Sequence, residues 1–270
     1  MDVAVLIATY KRKSETRICL EKLFQNNFNV DVFISDSNSK NNIQDLKKDY
    51  SNLNIVNVGN NIFWNRGMNY SWAKAKDKKD YDYYIWLNND TYLYPNALKT
   101  IFNDLKNIKS KSIVVGITED KNKLTYGGRN DLKGNILSPI GIPQKVKYIN
   151  GNFVLIPRTV FISLGFLDST FTHSLGDIDY GLKALNSKIG VYCTSKVVGF
   201  CEDDSFKWYD YSSLFLRLKN FSKPKGTPIK EYFYFNKNHF GYLKAIKFIV
   251  AVIIAIISPK LYKIFSTRKT

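Results

Sequence analysis

The chain has 270 residues, of which 44% are apolar and 15% aromatic, and a formal net charge of +17. This suits one large domain, or a domain with an appendage, and excludes a disordered chain. Residues 206–270 hold 13 Lys/Arg against only Asp210 and Glu231, a net +11, so the tail calls for an anionic partner, either nucleic acid or an anionic membrane surface.

Val3 to Thr9 is an unbroken apolar run of strand length, the pattern of a parallel strand buried on both faces. The stretch MDVAVLIATYKRK has no charged segment before that run and does not resemble a signal peptide. Ser14 to Phe24 has helical spacing of Ile18, Leu20, Leu23 and Phe24, with Ser14 as the expected N-cap. Val30 to Ser35 reads as a second strand, Ile43 to Tyr50 as a short helix and Leu53 to Val58 as a third strand. Asn65 to Lys76 is expected helical, Tyr83 to Leu87 a strand, Asn96 to Ile108 a helix and Ser112 to Gly116 a strand. Strands alternating with helices predict an α/β fold with a mostly parallel central sheet flanked by helices.

After Gly116, glycines at 127, 128, 134, 141 and 151 punctuate a loop-rich region with short strands. A short helix is expected to close at Ser163 to Gly165, and a longer one to run from Asp177 to Asn186. Val191 to Cys193 and Val197 to Phe200 read as two short strands. From Phe248 to Ile257 come ten apolar residues, flanked by Lys244, Lys247, Lys260 and Lys263. About 20 such residues are needed to span a bilayer, so one basic, apolar helix at about 242–265 is expected to lie in a membrane surface. A buried core helix is the plainer alternative for that run. The expected division is therefore 1–205, with a nucleotide-binding part at 1–116 and an acceptor-side part at 117–205, then a C-terminal extension at 206–270.

Ligands of such sheets bind beyond the carboxyl ends of the strands. Three strand ends are polar: Thr9-Tyr10, Ser35-Asp36-Ser37-Asn38 and Asn88-Asn89-Asp90. If the strands are parallel, these clusters share one edge. A carboxylate such as Asp90 suits a hard divalent cation, which would neutralise a diphosphate, and it equally suits a turn before Pro95-Asn96. Asp36 suits a pyrimidine N3–H or a ribose hydroxyl, or a turn. Asp177, in GDIDYGLKA, suits a helix cap or a general base. Cys19, Cys193 and Cys201 form no paired motif and read as reduced thiols. His173 and His239 lack ligand-like spacing, and no P-loop or nucleophile elbow is present.

Together these segments resemble the family 2 glycosyltransferases, inverting bacterial enzymes of the GT-A fold. The resemblance rests on VAVLIATYKR, VFISDSNSKNN, GNNIFWNRGMNYSWAKA, YIWLNNDTYLYPNAL with NND in place of a DxD-type motif, and YINGNFVLIPRTVFISLGFLDSTFTHSLGDIDYGLKALNSKIGVYCTS with its GD-x-D element. These occur in family order over about residues 3–205. The resemblance implies that Thr9, Tyr10, Arg12, Asp36, Asn65, Asn88, Asn89 and Asp90 bind a UDP- or dTDP-sugar. Asp90 would hold Mg²⁺ or Mn²⁺, Asp177 would be the catalytic base, and Asn152 and Asp179 would lie on the acceptor side.

It further implies a glycan or lipid-linked acceptor, capsule or O-antigen synthesis, and a peripheral place on the cytoplasmic face of the plasma membrane. The sequence departs from the family at Asn88, at Gly176 where relatives have Glu, and at Cys201 in the region of a late His, with Glu202, Asp203 and Asp204 as candidate substitutes. The first two departures keep a catalytically decayed, membrane-associated binding protein as the alternative. A nucleotidyltransferase would carry a Gly-rich loop after the first strand, and ATYKRKSE has no glycine. The apolar run in the tail disfavours nucleic acid as the partner.

Overall fold

The computed structural model describes residues 1–37, 43–108, 110–203 and 207–267, with side chains to 264. Asn38, at the end of the second polar cluster, and Asp204 therefore lie outside the described residues. The chain divides into one unit of residues 1–169 and 176–203 and another of residues 170–175 and 204–270.

In chain order the first unit comprises β1 (Val3–Thr9), α1 (Lys13–Phe24), β2 (Asp31–Asp36), a 3₁₀ turn (Ile43–Lys48), β3 (Leu53–Asn57), α2 (Trp64–Lys78), β4 (Tyr83–Leu87), β5 (Tyr92–Leu93) and α3 (Ala97–Ile108). There follow β6 (Ser112–Asp120), β7 (Lys123–Tyr126), β8 (Gly128–Arg129), β9 (Gln144–Lys145), β10 (Tyr148–Ile149), β11 (Phe153–Pro157), α4 (Arg158–Leu164), α5 (Gly176–Asn186) and β12 (Gly190–Phe200).

The main sheet has the order β3-β2-β1-β4-β11-β6-β12-β5. β3, β2, β1 and β4 pair in parallel. β11 is antiparallel to both β4 and β6, so β6, and β12 parallel to it, run in the sense of β4. The sheet is mixed, with six long strands ending at one edge.

Alternation of side chains across each strand builds two cores. Ala4, Leu6, Tyr84, Trp86, Val154 and Ile156 face one side, against Met68 and Trp72 of α2, Val160 of α4 and Tyr180 of α5. Val3, Val5, Ile7, Ile85, Leu87 and Leu155 face the other, against Cys19, Leu20 and Leu23 of α1 and Leu98 and Ile101 of α3. α2 lies close on the sheet because residue 67 is glycine: a Cβ there would stand 2.9 Å from that of Ala8.

Several expected elements take a different form. Ser14 lies inside α1; its N-cap is Arg12, which uses no side-chain bond, and whose carbonyl accepts instead from the Thr16 N–H and Oγ1. The strand at 112–116 continues to Asp120 because β7 pairs back onto it. The two short strands at 191–200 are one strand with irregular register between Cys193 and Gly199.

The second unit holds α6 (Leu214–Phe221), α7 (Ile229–Phe240), α8 (Tyr242–Ile257) and α9 (Pro259–Thr267). Glu231 on α7 accepts from the Thr172 N–H and hydroxyl at 3.1 and 2.7 Å. The buried guanidinium of Arg217 donates to the carbonyls of Tyr211, Ser212 and Ile256. The single helix expected at 242–265 is two, because Pro259 lacks an N–H and constrains Ser258 before it. Among the described residues no helix is long and apolar enough to cross a membrane.

Candidate functional site at the carboxyl edge of the sheet

The strand ends meet as their common direction requires. Thr9 and Asp36 are register partners, and the Ser37 N–H and hydroxyl both donate to the Thr9 carbonyl at 3.1 Å. β11 runs the other way, so its preceding residues, Gly151 and Asn152, arrive at the same edge. The Asn88 N–H donates to the Asn152 carbonyl at 2.9 Å. β12 ends beside them, where Asn152 Nδ2 donates to Cys201 Sγ at 3.4 Å.

The three residues 88–90 divide their side chains. Asn88 Oδ1 accepts from Trp64 Nε1 at 2.6 Å. Asn89 turns inward, and its Nδ2 donates to Thr9 Oγ1 at 3.1 Å and Thr16 Oγ1 at 3.2 Å. Asp90 faces the half-buried guanidinium of Arg12 and pairs with it. One anchoring amide, one amide toward helix α2 and one carboxylate toward the opening account for the polar end of an otherwise apolar strand.

Asp177 stands in the first turn of α5. Its Oδ2 accepts from the Gly151 N–H and its Oδ1 from the Ile178 N–H, both at 2.8 Å. Burial pushes its carboxyl above the usual carboxylate range, and those backbone donors and Arg129 pull only partly against this. Desolvation lowers the Arg129 guanidinium from its ordinary value, with Asp177 opposing. Arg129 Nη1 is held by Asn150 Oδ1 at 2.8 Å.

Gly176 has a local cause. A Cβ at 176 would fall 1.7 Å from Asn65 Oδ1, so the Asn65 carboxamide fills the space a side chain would need. Asn65 is buried, donating to the Asp168 carbonyl at 2.9 Å. The first turns of α2 and α5 thus interlock through one amide and one glycine.

Of the residues assigned to the site, Asp36, Asn65, Asn89 and Asp179 are buried inside the fold. Asp179 pairs with Lys183 at 2.7 Å. The Asn65 and Asn89 side chains are engaged by neighbouring elements, and Asp179 by Lys183 one turn on along its own helix. Thr9 and Asn152 are also largely enclosed, Tyr10 is exposed, and Arg12, Asn88 and Asp90 remain half-open. Sequence reading passed over Trp64, Arg129 and Gly151. Trp64 adjoins Asn65 in a segment already singled out, but Arg129 carried no signal beyond the glycines of TYGGRND.

Asp90 supplies one carboxylate, and a magnesium-type cation bound with a substrate diphosphate needs only one or two. Asp90 therefore fits a cation that arrives with a diphosphate. Among the described residues no group of three or more His, Cys, Asp or Glu could hold a metal by itself. Cys201 is a neutral thiol, pushed up to about 12 by burial and by the charge of Asp90.

A mixed sheet that gathers Thr9, Asp36, Asn88, Asp90 and an inward-held Asp177 at one edge is the framework of a GT-A-type glycosyltransferase. The glycosyl transferase family 2 profile matches residues 4–171, and the chain belongs to that family. No curated protein matched the sequence. Among solved structures, S. aureus TarS 1–349 superposes with a TM-score of 0.60 at 12% identity, covering 95% of this chain and 81% of that one. TarS 1–349 in complex with UDP-GlcNAc gives 0.58 at 13%, covering 95% and 82%. The longer TarS chain gives 0.58 at 14%; 90% of this chain is covered, but it spans only 43% of that one. At these identities the likeness is one of fold.

Proposed function

We propose that the chain transfers a sugar, with inversion, from a UDP- or dTDP-sugar to a hydroxyl of a glycan or lipid-linked saccharide in surface polysaccharide synthesis, of the capsule or O-antigen kind. The observation that carries this reading is the single edge shared by Asp36, Asp90 and the Gly151-held Asp177 in a family 2 chain. The solved TarS complexes with UDP and UDP-GlcNAc support a nucleoside-diphosphate donor here.

In this reading Asp36 receives the base, while Arg12 and Asp90 face the diphosphate. Asp90 would hold Mg²⁺ or Mn²⁺, which when bound compensates the charge of the leaving diphosphate. The Asp177 carboxylate takes the proton of the acceptor hydroxyl as its oxygen attacks C1. The bond from C1 to the diphosphate oxygen breaks, and its electron pair leaves with that oxygen. Entry from the opposite face inverts the anomeric centre.

The second unit supports a peripheral place on the cytoplasmic face of the plasma membrane. Leu243, Ile246, Val250, Ile253 and Ile257 are exposed along α8 at spacings of three and four, with Lys244, Lys247, Lys260 and Lys263 also exposed. Such a stripe suits an in-plane helix with lysines reaching anionic headgroups.

A panel of UDP- and dTDP-sugars, assayed for nucleotide release with Mg²⁺, Mn²⁺ or EDTA, tests the donor assignment. At least one sugar nucleotide should turn over, faster with metal. No turnover across the panel, with or without acceptor extracts, would favour a non-catalytic binding protein.

A further inference from the structure

Trp64, the first residue of α2, is half-buried and touches both sides of the site. Its Nε1–H donates to Asn88 Oδ1 at 2.6 Å on the donor side. The far edge of the same ring lies against Gly151: a Cβ there would stand 2.5 Å from Trp64 Cη2 and Cζ2. That contact leaves no room for any residue but glycine, and the Gly151 N–H is the donor to Asp177 Oδ2 at 2.8 Å. Trp64 is itself fixed by edge-to-face packing on Trp86, with ring centres 6.0 Å apart and planes at 90°. Its backbone neighbour Asn65 fills the space over Gly176.

We propose that Trp64 is the positioning residue that sets the base against the donor: one edge of the indole orients Asn88, and the other seats the Gly151 loop that holds and dries Asp177. This rests on the reading of Asp177 as the base. Trp64 touches no reacting atom in this account; it acts through Asn88 and Gly151. The indole covers Gly151, which limits water at the carboxylate, in keeping with burial as the main cause of the high Asp177 value. The charged and titratable groups around Asp177 are Arg129 on β8 and, beside Arg129, Tyr148 on β10. On its own helix are Asp179 and Lys183, paired with each other.

The titration and UDP-binding measurements need no knowledge of the sugar. Asp177 is titrated in the full-length protein by carbon NMR of labelled aspartate carboxyls, with Asp177→Asn assigning the signal. UDP affinity is measured by calorimetry on the same samples. In Trp64→Ala, water reaches the loop, so the Asp177 midpoint should fall toward the ordinary carboxylate value. UDP affinity should fall several-fold. Asn88→Ala cuts only the donor edge, so UDP affinity should fall while the Asp177 midpoint stays.

If Trp64→Ala loses its native near-UV circular dichroism, Trp64→Phe takes its place. It keeps a smaller ring and should move the midpoint in the same direction by less. An Asp177 midpoint unmoved in the folded Trp64 variant overturns the proposal, as does an equal shift in Asn88→Ala. Transfer that survives Asp177→Asn would instead remove the base assignment and leave the Trp64 contacts to be judged by UDP affinity alone.

Discussion

At Asp177, one carboxylate meets two opposed demands. As the proposed base it must be charged to accept a proton, yet its surroundings favour the neutral form. The transfer rate should therefore fall on the acid side with a midpoint above the ordinary Asp value of about 3.9. A pH–rate profile checks this; an acid limb at or below that value contradicts it. The same shift has a stability consequence. A folded-state value above the unfolded one means that the folded protein binds more protons between the two, so stability falls as pH rises through that window. Asp177→Asn should thus gain melting temperature relative to the parent as pH rises from about 3.9 toward neutrality, and the difference should level off above the raised value. Paired thermal melts measure it, and a difference that is flat or shrinks with pH would be the wrong sign.

The interlocked first turns of α2 and α5 are an element-scale device. Gly176→Ala forces a methyl into the Asn65 carboxamide and should cost about 1–3 kcal/mol by overpacking. Combining it with Asn65→Ala should recover part of that loss, because the two sites share one space. Chemical denaturation of the four proteins closes the cycle, and strict additivity would refute the steric account. This junction also marks the limit of sequence reading. The strands of the first half were legible, since β1 and β4 are apolar throughout and end in polar clusters. The edge they share was legible too, since parallel strands must end together.

Gly176 read only as a missing Glu, because the group that replaces it, Asn65, lies 111 positions away in the chain. That Asn65 and Asn89 are engaged by neighbouring elements was not legible, because an amide in a motif looks the same whether it faces a ligand or a neighbouring helix. The antiparallel β11, which delivers Gly151 and Asn152 to the site, has the same apolar pattern as a parallel strand. Its direction follows from pairing, which periodicity does not carry. In the tail, the apolar run lies within α8, and Pro259 separates it from α9.

For the molecule as a whole, net charge is uneven, with residues 206–270 carrying +11 of the net +17. The first unit carries the strand-end site, and the second carries a lysine-bordered stripe on α8 that nothing in that unit covers among the described residues. Replacing Ile246 and Ile253 together by Asp should release the protein from vesicles containing anionic lipid, as read by co-sedimentation, while leaving UDP affinity within about twofold. Unchanged sedimentation would mean that the stripe is not the contact. Higher salt should weaken binding of the parent protein to anionic vesicles, since the lysines act through screened charge.

The claim that joins these scales is that Asp177 removes the acceptor proton at a donor site built by other residues. Asp177→Asn measures it most directly, with sugar transfer and UDP binding followed on one preparation. Transfer should drop by at least about a hundredfold, the size of a general-base contribution, with UDP affinity within about twofold of the parent. Parallel loss of both, or transfer that persists, would contradict the account.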